Sequence, residues 1–251
     1  DAADCPLCGS PLTFTRRYFS HVGHFSCPHC GFERPPCEVR ADHVQLTPDG
    51  ARAVITVNGV AQPFFSQLSG LYNLYNFLAA VAVAGTLGLD TEPTLATLSA
   101  MRPAFGRLER FHIDQRTGII HLVKNPTGFN QVIDNVTTWG RGEAVLLCLN
   151  DNFADGTDIS WIWDVDFTPL PGAFSNLVVS GLRAHELALR LKYAGATADR
   201  VRLVPDLVTA LETAVRITPP GGVLNILTTY TAMLELRAHL VRRGFLEDYW
   251  R

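Results

Sequence analysis

Cys5-Pro6-Leu7-Cys8-Gly9 is echoed by Cys27-Pro28-His29-Cys30-Gly31. Each segment is a C-x2-C knuckle, and the 18 residues between the knuckles fall within the spacing of a four-thiolate metal site. Two thiolates three residues apart on a tight turn reach one ion, and two such turns complete a tetrahedron. Cys5, Cys8, Cys27 and Cys30 are therefore expected to bind zinc. The glycine after each second cysteine supplies the positive φ that such a turn needs. The competing readings are four unrelated buried cysteines or two disulfides; the near-identity of the knuckles favours the metal. A closed four-cysteine set leaves no coordination position for substrate, so its role is structural. His21, His24 and His29 are then surface residues, and Cys37 is spare.

A second concentration of chemistry is Asn150–Asp166, NDNFADGTDISWIWDVD, where five aspartates share a segment with Trp161 and Trp163. Asp and Asn satisfy local backbone groups in turns, and Asp155-Gly156 is expected to do so. Tryptophans beside carboxylates also suit a docking or catalytic surface. Lys124 follows a strand, where a cation can meet phosphate or carboxylate; otherwise it is a solvated lysine. Arg107 is either a functional cation or half of a hinge ion pair with Glu109. Asn73 and Asn76 are polar positions on an apolar helix that cap locally or face a cleft.

The elements that must position these residues alternate in type. Leu12–Phe19 and Gly23–Ser26 read as strands of a ribbon of under forty residues, too small for its own core and dependent on metal. Short strands are expected at 44–46, 53–57 and 60–64, with a hairpin at Asn58-Gly59. Helices follow at 71–87 and 92–100, then a boundary at Pro103 and Gly106. Beyond it, strands at 119–123, 144–149, 177–180, 201–204 and 223–227 alternate with helices, the last at 232–243. That rhythm predicts a mostly parallel, doubly wound α/β sheet. In such a sheet the site lies outside the carboxyl ends of the strands, which gathers Lys124-Asn125-Pro126, Asn150–Asp158, Gly181 with Arg183, and Thr228-Thr229-Tyr230 at one edge.

Composition narrows the function. The 251 residues carry a formal net charge of −3 and no basic stripe, which argues against a nucleic-acid surface. No apolar run approaches a membrane span, and paired reduced thiolates point to the cytoplasm. The sequence starts a few residues before a ligand cysteine, and the expectation is that an N-terminal part precedes it.

Several segments together resemble a known family. The four-cysteine ribbon, Gly70-Leu71-Tyr72-Asn73-Leu74-Tyr75-Asn76 with Ala79-Ala80, Phe105-Gly106-Arg107-Leu108-Glu109-Arg110, Leu122–Gly128 and NDNFADGTDISWIWDVDF are similar to the C-terminal portion of the MurT family. These are the Mur-ligase-like subunits of lipid II isoglutaminyl synthases. The GLYNLYN and GRLER elements are shared widely with Mur ligases; the last two segments are more specific. The resemblance implies a ribbon inserted at 1–38, the remainder of a Mur ligase central domain at 39–104, and a Rossmann-like C-terminal domain at 105–251.

The resemblance also implies an activity. ATP, with Mg2+, phosphorylates the α-carboxylate of D-glutamate in the lipid II stem peptide, at the cytoplasmic face of the bacterial membrane. Ammonia from a GatD-type glutaminase partner then gives D-isoglutamine. In this family an aspartate of the ligase subunit completes the partner's cysteine–histidine pair; motif position assigns it to Asp158, with Asp164 second. Arg107, Lys124, Asn125 and Asn73 are the implied nucleotide contacts. Two departures stand out. No G-x-x-x-x-G-K-[ST] phosphate loop is present, so this chain alone is expected not to hydrolyse ATP. His121 occupies the place of an aspartate that contacts ribose in Mur ligases. Two other readings compete: a zinc-ribbon scaffold that docks a glutaminase without chemistry of its own, and a zinc-ribbon nucleic-acid binder, which the charge disfavours.

Overall fold

A computed structural model of the chain describes residues 3–19, 22–47, 49–102, 107–139 and 142–248. The expected boundary at Pro103–Gly106 lies outside the described residues, as do the side chain of Arg107 and residue His21.

The first unit is the ribbon. Strands β1 (Thr13–Phe19) and β2 (Val22–Ser26) pair antiparallel between the two knuckles. The knuckles share one backbone pattern. Gly9 N–H donates to Cys5 O at 2.8 Å and Gly31 N–H to Cys27 O at 3.0 Å, with both glycines at positive φ, 71° and 76°. Only glycine takes that conformation without strain.

The second unit pairs β3 (Val39–Thr47), β4 (Gly50–Val57) and β5 (Val60–Ser66) as an antiparallel sheet, with Asn58 and Gly59 at positive φ in the hairpin. Helices α1 (Leu71–Thr86) and α2 (Thr91–Ser99) close its core. Ile55, Val57 and Phe64 meet Phe77, Val81 and Leu95 there. On α1 the buried face is Leu74, Phe77, Val81 and Ala84. It is rotated slightly from the expected stripe of Leu71, Leu74, Leu78, Val81 and Ala82, because the α1 surface that meets the sheet is centred on Phe77.

The largest unit is a six-stranded sheet in the order β10-β9-β8-β11-β7-β6, built from β6 (Arg107–Ile113), β7 (Arg116–Leu122), β8 (Gly142–Cys148), β9 (Phe174–Ser180), β10 (Val201–Leu203) and β11 (Val223–Thr228). All neighbours are parallel except β6, which runs antiparallel at the edge beside β7. Side chains alternate along β8: Val145 and Leu147 face α3 (Pro126–Trp139) and α5 (Ala184–Tyr193), whereas Ala144, Leu146 and Cys148 face α6 (Leu207–Ile217) and α7 (Tyr230–Arg242). Both faces are covered, as parallel sheets require. The expected alternation of strands and helices is therefore present.

Strand β6 was not expected. Its sequence, RLERFHI, carries three charged residues, which hides the period-two pattern. Pairing rests instead on Phe111, whose ring covers Gly118 across the register; a Cβ at Gly118 would lie 2.1 Å from that ring. The long loop after β8 also contains structure that periodicity misses: a 3-10 turn, Ser160–Asp164, and the short helix α4 (Leu170–Ala173).

Candidate functional site

Two places concentrate polar chemistry. In the ribbon, the Sγ atoms of Cys5, Cys8, Cys27 and Cys30 all lie within 4.8 Å of one another. Cys5–Cys30 and Cys8–Cys27 are each 3.5 Å apart, far beyond a disulfide bond. Four sulfurs around an ion at about 2.3 Å would sit about 3.8 Å apart, so the set can hold one metal ion with little movement. Hydrogen bonds from the backbone and side chain of Ser10 pull the Cys8 thiol down to about 6. Despite a lowering backbone bond from Phe32, desolvation and the neighbouring thiols push Cys30 up to about 12.

The second place is the carboxyl edge of the large sheet. Asn150, buried just after β8, ties three strand ends together. Its backbone N–H donates to Thr229 Oγ1 at 2.9 Å, its Nδ2 donates to Thr231 Oγ1 at 3.0 Å, and its Oδ1 accepts from Leu182 N–H at 2.9 Å. Asp155 accepts from the N–H of Thr231 at 2.8 Å and from its hydroxyl. Its backbone forms the expected local turn, with Asp155 N–H and Gly156 N–H both donating to Asn152 O at 2.8 and 3.1 Å, while its side chain caps the first turn of α7 from across the loop, a favourable place for a carboxylate beside a helix N-terminus. Asp151 pairs with Arg183 at 2.6 Å, and Arg183 reaches Glu186 at 3.0 Å.

With Asp151 and Asp155 engaged, the loop turns outward at Asp158. Its Oδ1 accepts from Ser160 N–H at 2.8 Å, opening the 3-10 turn, and the side chain is exposed. The backbone and hydroxyl of Ser160 hold the carboxyl below its ordinary range, so it is ionised at neutral pH. The far end of the turn is clamped from behind. Arg190 of α5 donates to the carbonyls of Ile162 and Val165, at 3.2 and 2.6 Å. Asp164 is also exposed, at the last position of the turn. The two tryptophans part company: Trp161 packs into the core beside Phe129, whereas Trp163 is half exposed against Tyr193 at 5.6 Å and beneath Arg190. Phe153, in the same loop, is 96% exposed.

The remaining predicted site residues are spread out. Lys124 is exposed at the end of β7. Asn125 caps α3: its Oδ1 accepts from Gly128 N–H at 2.8 Å, with Pro126 at the first helical position. Asn73 donates to Ser69 O at 2.7 Å and secures the start of α1. Glu109, expected as a partner for Arg107, is held by Arg237 through two bonds of 2.7 and 2.6 Å. That buried pair fastens β6 to α7. Next along β6, Arg110 reaches Asp49 of the second unit at 3.4 Å.

His121 is buried and bonds Asn225 Oδ1 at 3.0 Å; burial lowers its pKa to about 4, so it is neutral. His121, Asn225, Asn135, Ser69 and Arg110 line a cavity of about 700 Å³ between the second unit and the sheet. Among the described residues, Lys124, Asn125 and Asn73 do not line it. The sequence places Asn150 at this edge but does not disclose its bonds to the Thr229 and Thr231 hydroxyls, nor Thr231 itself. The available signal was an asparagine directly after a fully apolar strand, where an unpaired amide would be costly.

Comparison with known proteins supplies what geometry alone leaves open. Residues 122–233 match the MurT ligase C-terminal family. Over 241 residues the chain is 36% identical to the "Lipid II isoglutaminyl synthase (glutamine-hydrolyzing) subunit MurT" of Streptococcus pneumoniae, covering 95% of this chain and 53% of that protein. The subunit of the same name from Staphylococcus aureus is 34% identical over 192 residues, covering 76% of this chain and 42% of that protein. The chain thus spans about half the length of the curated relatives it matches. Among solved structures, a pseudomurein peptide ligase type C from Methanothermus fervidus superposes with a TM-score of 0.72 at 18% identity, over 96% of this chain and 49% of that one. That likeness extends the Mur ligase fold to nearly the whole chain.

Proposed function

We propose that the chain belongs with the MurT ligases, whose C-terminal family residues 122–233 match, and that it is part of the ligase subunit of a glutamine-dependent lipid II amidating enzyme. In the full-length protein an upstream phosphate loop would bind ATP and Mg2+. The α-carboxylate of D-glutamate attacks the γ-phosphate, releasing ADP and leaving an acyl phosphate. Ammonia then attacks the acyl carbon, loses a proton and expels phosphate, giving D-isoglutamine. Lys124 and Arg107 are positioned by sequence to meet nucleotide or acyl phosphate, where positive charge favours the transition state. Asn73 and Asn125 are assigned to the same nucleotide site, and each also secures the start of its helix, through Ser69 O and Gly128 N–H. The boundaries we propose are a ribbon at 1–38, the late part of the central domain at 39–104 and the C-terminal domain at 105–251.

Ammonia would come from a GatD-type glutaminase in a heterodimer. We assign Asp158 to that partner's histidine: an ionised carboxylate accepts the ring N–H, fixes the tautomer and stabilises the imidazolium. The observation that carries this reading is the exposed carboxylate of Asp158 on a turn anchored at both ends, with Trp163 and Phe153 exposed around it. The ribbon cysteines suit zinc, which would stabilise the fold and take no part in the reaction. We place the enzyme in the cytoplasm, at the inner membrane face; no helix among the described residues is long and apolar enough to cross a membrane.

The test is reconstitution. Full-length protein and the glutaminase encoded beside it, given ATP, glutamine and lipid II, should yield amidated lipid II and glutamate in equal amounts. ATP-independent glutamine hydrolysis in the complex, with no amidated product, would favour a scaffold that only docks the glutaminase.

A further inference from the structure

A cleft of about 470 Å³ separates the ribbon from α1, and the ligase chemistry above makes no use of it. Its upper wall is Tyr18, His24, Arg34 and Cys37; its floor is apolar, formed by Leu71, Leu74 and Leu78 of α1 with Val39 and Val44 of β3. Arg34 is the unusual member. The residue is half-buried, yet no carboxylate pairs with it among the described residues. Its contacts are soft: Cys37 Sγ at 3.3 Å, His24 Nε2 at 3.5 Å and the face of Tyr18 at 6.0 Å. Arg16 lies over the same Tyr18 ring at 5.4 Å and adds positive potential to that wall. The nearest acid in the cleft, Asp42, is taken by Arg40 at 2.9 Å. A half-buried arginine fork without a carboxylate fits a planar or tetrahedral oxyanion. An apolar floor beside it fits a hydrocarbon chain.

We propose that this cleft binds a phosphate or diphosphate head group, with Arg34 on the oxygens, and that the α1 floor receives a lipid chain attached to that head. The lipid source rests on the reading above; the anion site does not. A phosphate bound there would replace the weak thiol and imidazole contacts of Arg34 with two charge-assisted bonds, and Tyr75 and Tyr18 would flank it.

The experiment uses full-length, metal-loaded protein with two probes. One is neutral phosphatidylcholine vesicles with or without a prenyl diphosphate; the other is inorganic pyrophosphate, followed by calorimetry. Diphosphate vesicles should bind at least about tenfold tighter than neutral ones, and Arg34→Gln should remove that gain. Val44→Asp should weaken the vesicles and spare pyrophosphate. If Arg34→Gln weakens both probes and Val44→Asp neither, the site takes the head group from a soluble source. Wild-type binding of neither probe, or unchanged binding by Arg34→Gln with metal content and circular dichroism intact, overturns the proposal. Neither probe requires ATP, glutamine or a partner, so failure here is separable from failure of the ligase reading.

Discussion

The ribbon and the wound sheet solve the same problem by opposite means. In the sheet, both faces of β8 and β11 are sealed by helices, and Leu146, Leu147, Ile226 and Leu227 have no measurable exposure. In the ribbon, β1 is largely exposed and β2 half-buried, and among the described residues the buried hydrophobic ones are Cys5 and Cys27. One unit is held by apolar area; on the zinc reading proposed above, the other is held by an ion among its four thiols. The lesson concerns where a chain of this kind can be switched off: metal loss should erase one unit and leave the other standing.

Chelation gives the largest expected effect. Apparent binding energies for structural zinc are on the order of 10–16 kcal/mol, more than a ribbon of this size can replace. A strong chelator at neutral pH should abolish hydrogen-exchange protection in β1 and β2 while β8 and β11 keep theirs. Protection retained in the metal-free ribbon would mean that the two units are not held differently.

The next contrast lies inside the sheet unit, where one buried charge pair interrupts an otherwise apolar design. Arg237→Ala removes the two bonds that hold the largely buried Glu109 carboxylate and should destabilise by about 3–5 kcal/mol in denaturant unfolding. Arg237→Met with Glu109→Leu should recover most of that loss. The double variant would show whether the pair supplies stability or chiefly orients β6, which arrives from the second unit and carries Leu108 at a positive φ of 58°.

A smaller effect separates the units by pH. His121 is held at about 4 by burial, against 6.5 for the free side chain. The unfolded chain therefore binds the extra proton first as pH falls. Stability should decline through the window from about 6.5 to 4, by roughly 3 kcal/mol in total. His121→Gln should flatten that slope when the two proteins are compared across the same range. An identical slope in both would remove His121 from the account.

What the sequence disclosed follows the same division. The knuckles were legible from their repeated C-x2-C spacing, and β7, β8, β9 and β11 because burial on both faces leaves apolar runs such as Ala144–Cys148. Strand β6 was not legible, since its pairing depends on a phenylalanine covering a glycine in the next strand. The carboxyl-edge loop was legible as a site but not as a structure. Nothing local in Asn150 or Asp155 announces that their partners are Thr229 and Thr231, some eighty positions later. The Glu109 bond to Arg237, 128 positions apart, is equally silent.

The ribbon's four thiols converge on one another, whereas Asp158 of the carboxyl-edge loop turns outward, and the account depends on that outward carboxylate. The most direct measurement is lipid II amidation by the reconstituted complex carrying Asp158→Asn, with glutamine or with ammonium as nitrogen donor and Asp164→Asn in parallel. Asp158→Asn should cut the glutamine-dependent rate by roughly 10³- to 10⁴-fold and leave the ammonium-dependent rate within about twofold, while Asp164→Asn keeps both. Equal loss of the two rates in Asp158→Asn, or an unchanged glutamine-dependent rate, would contradict it.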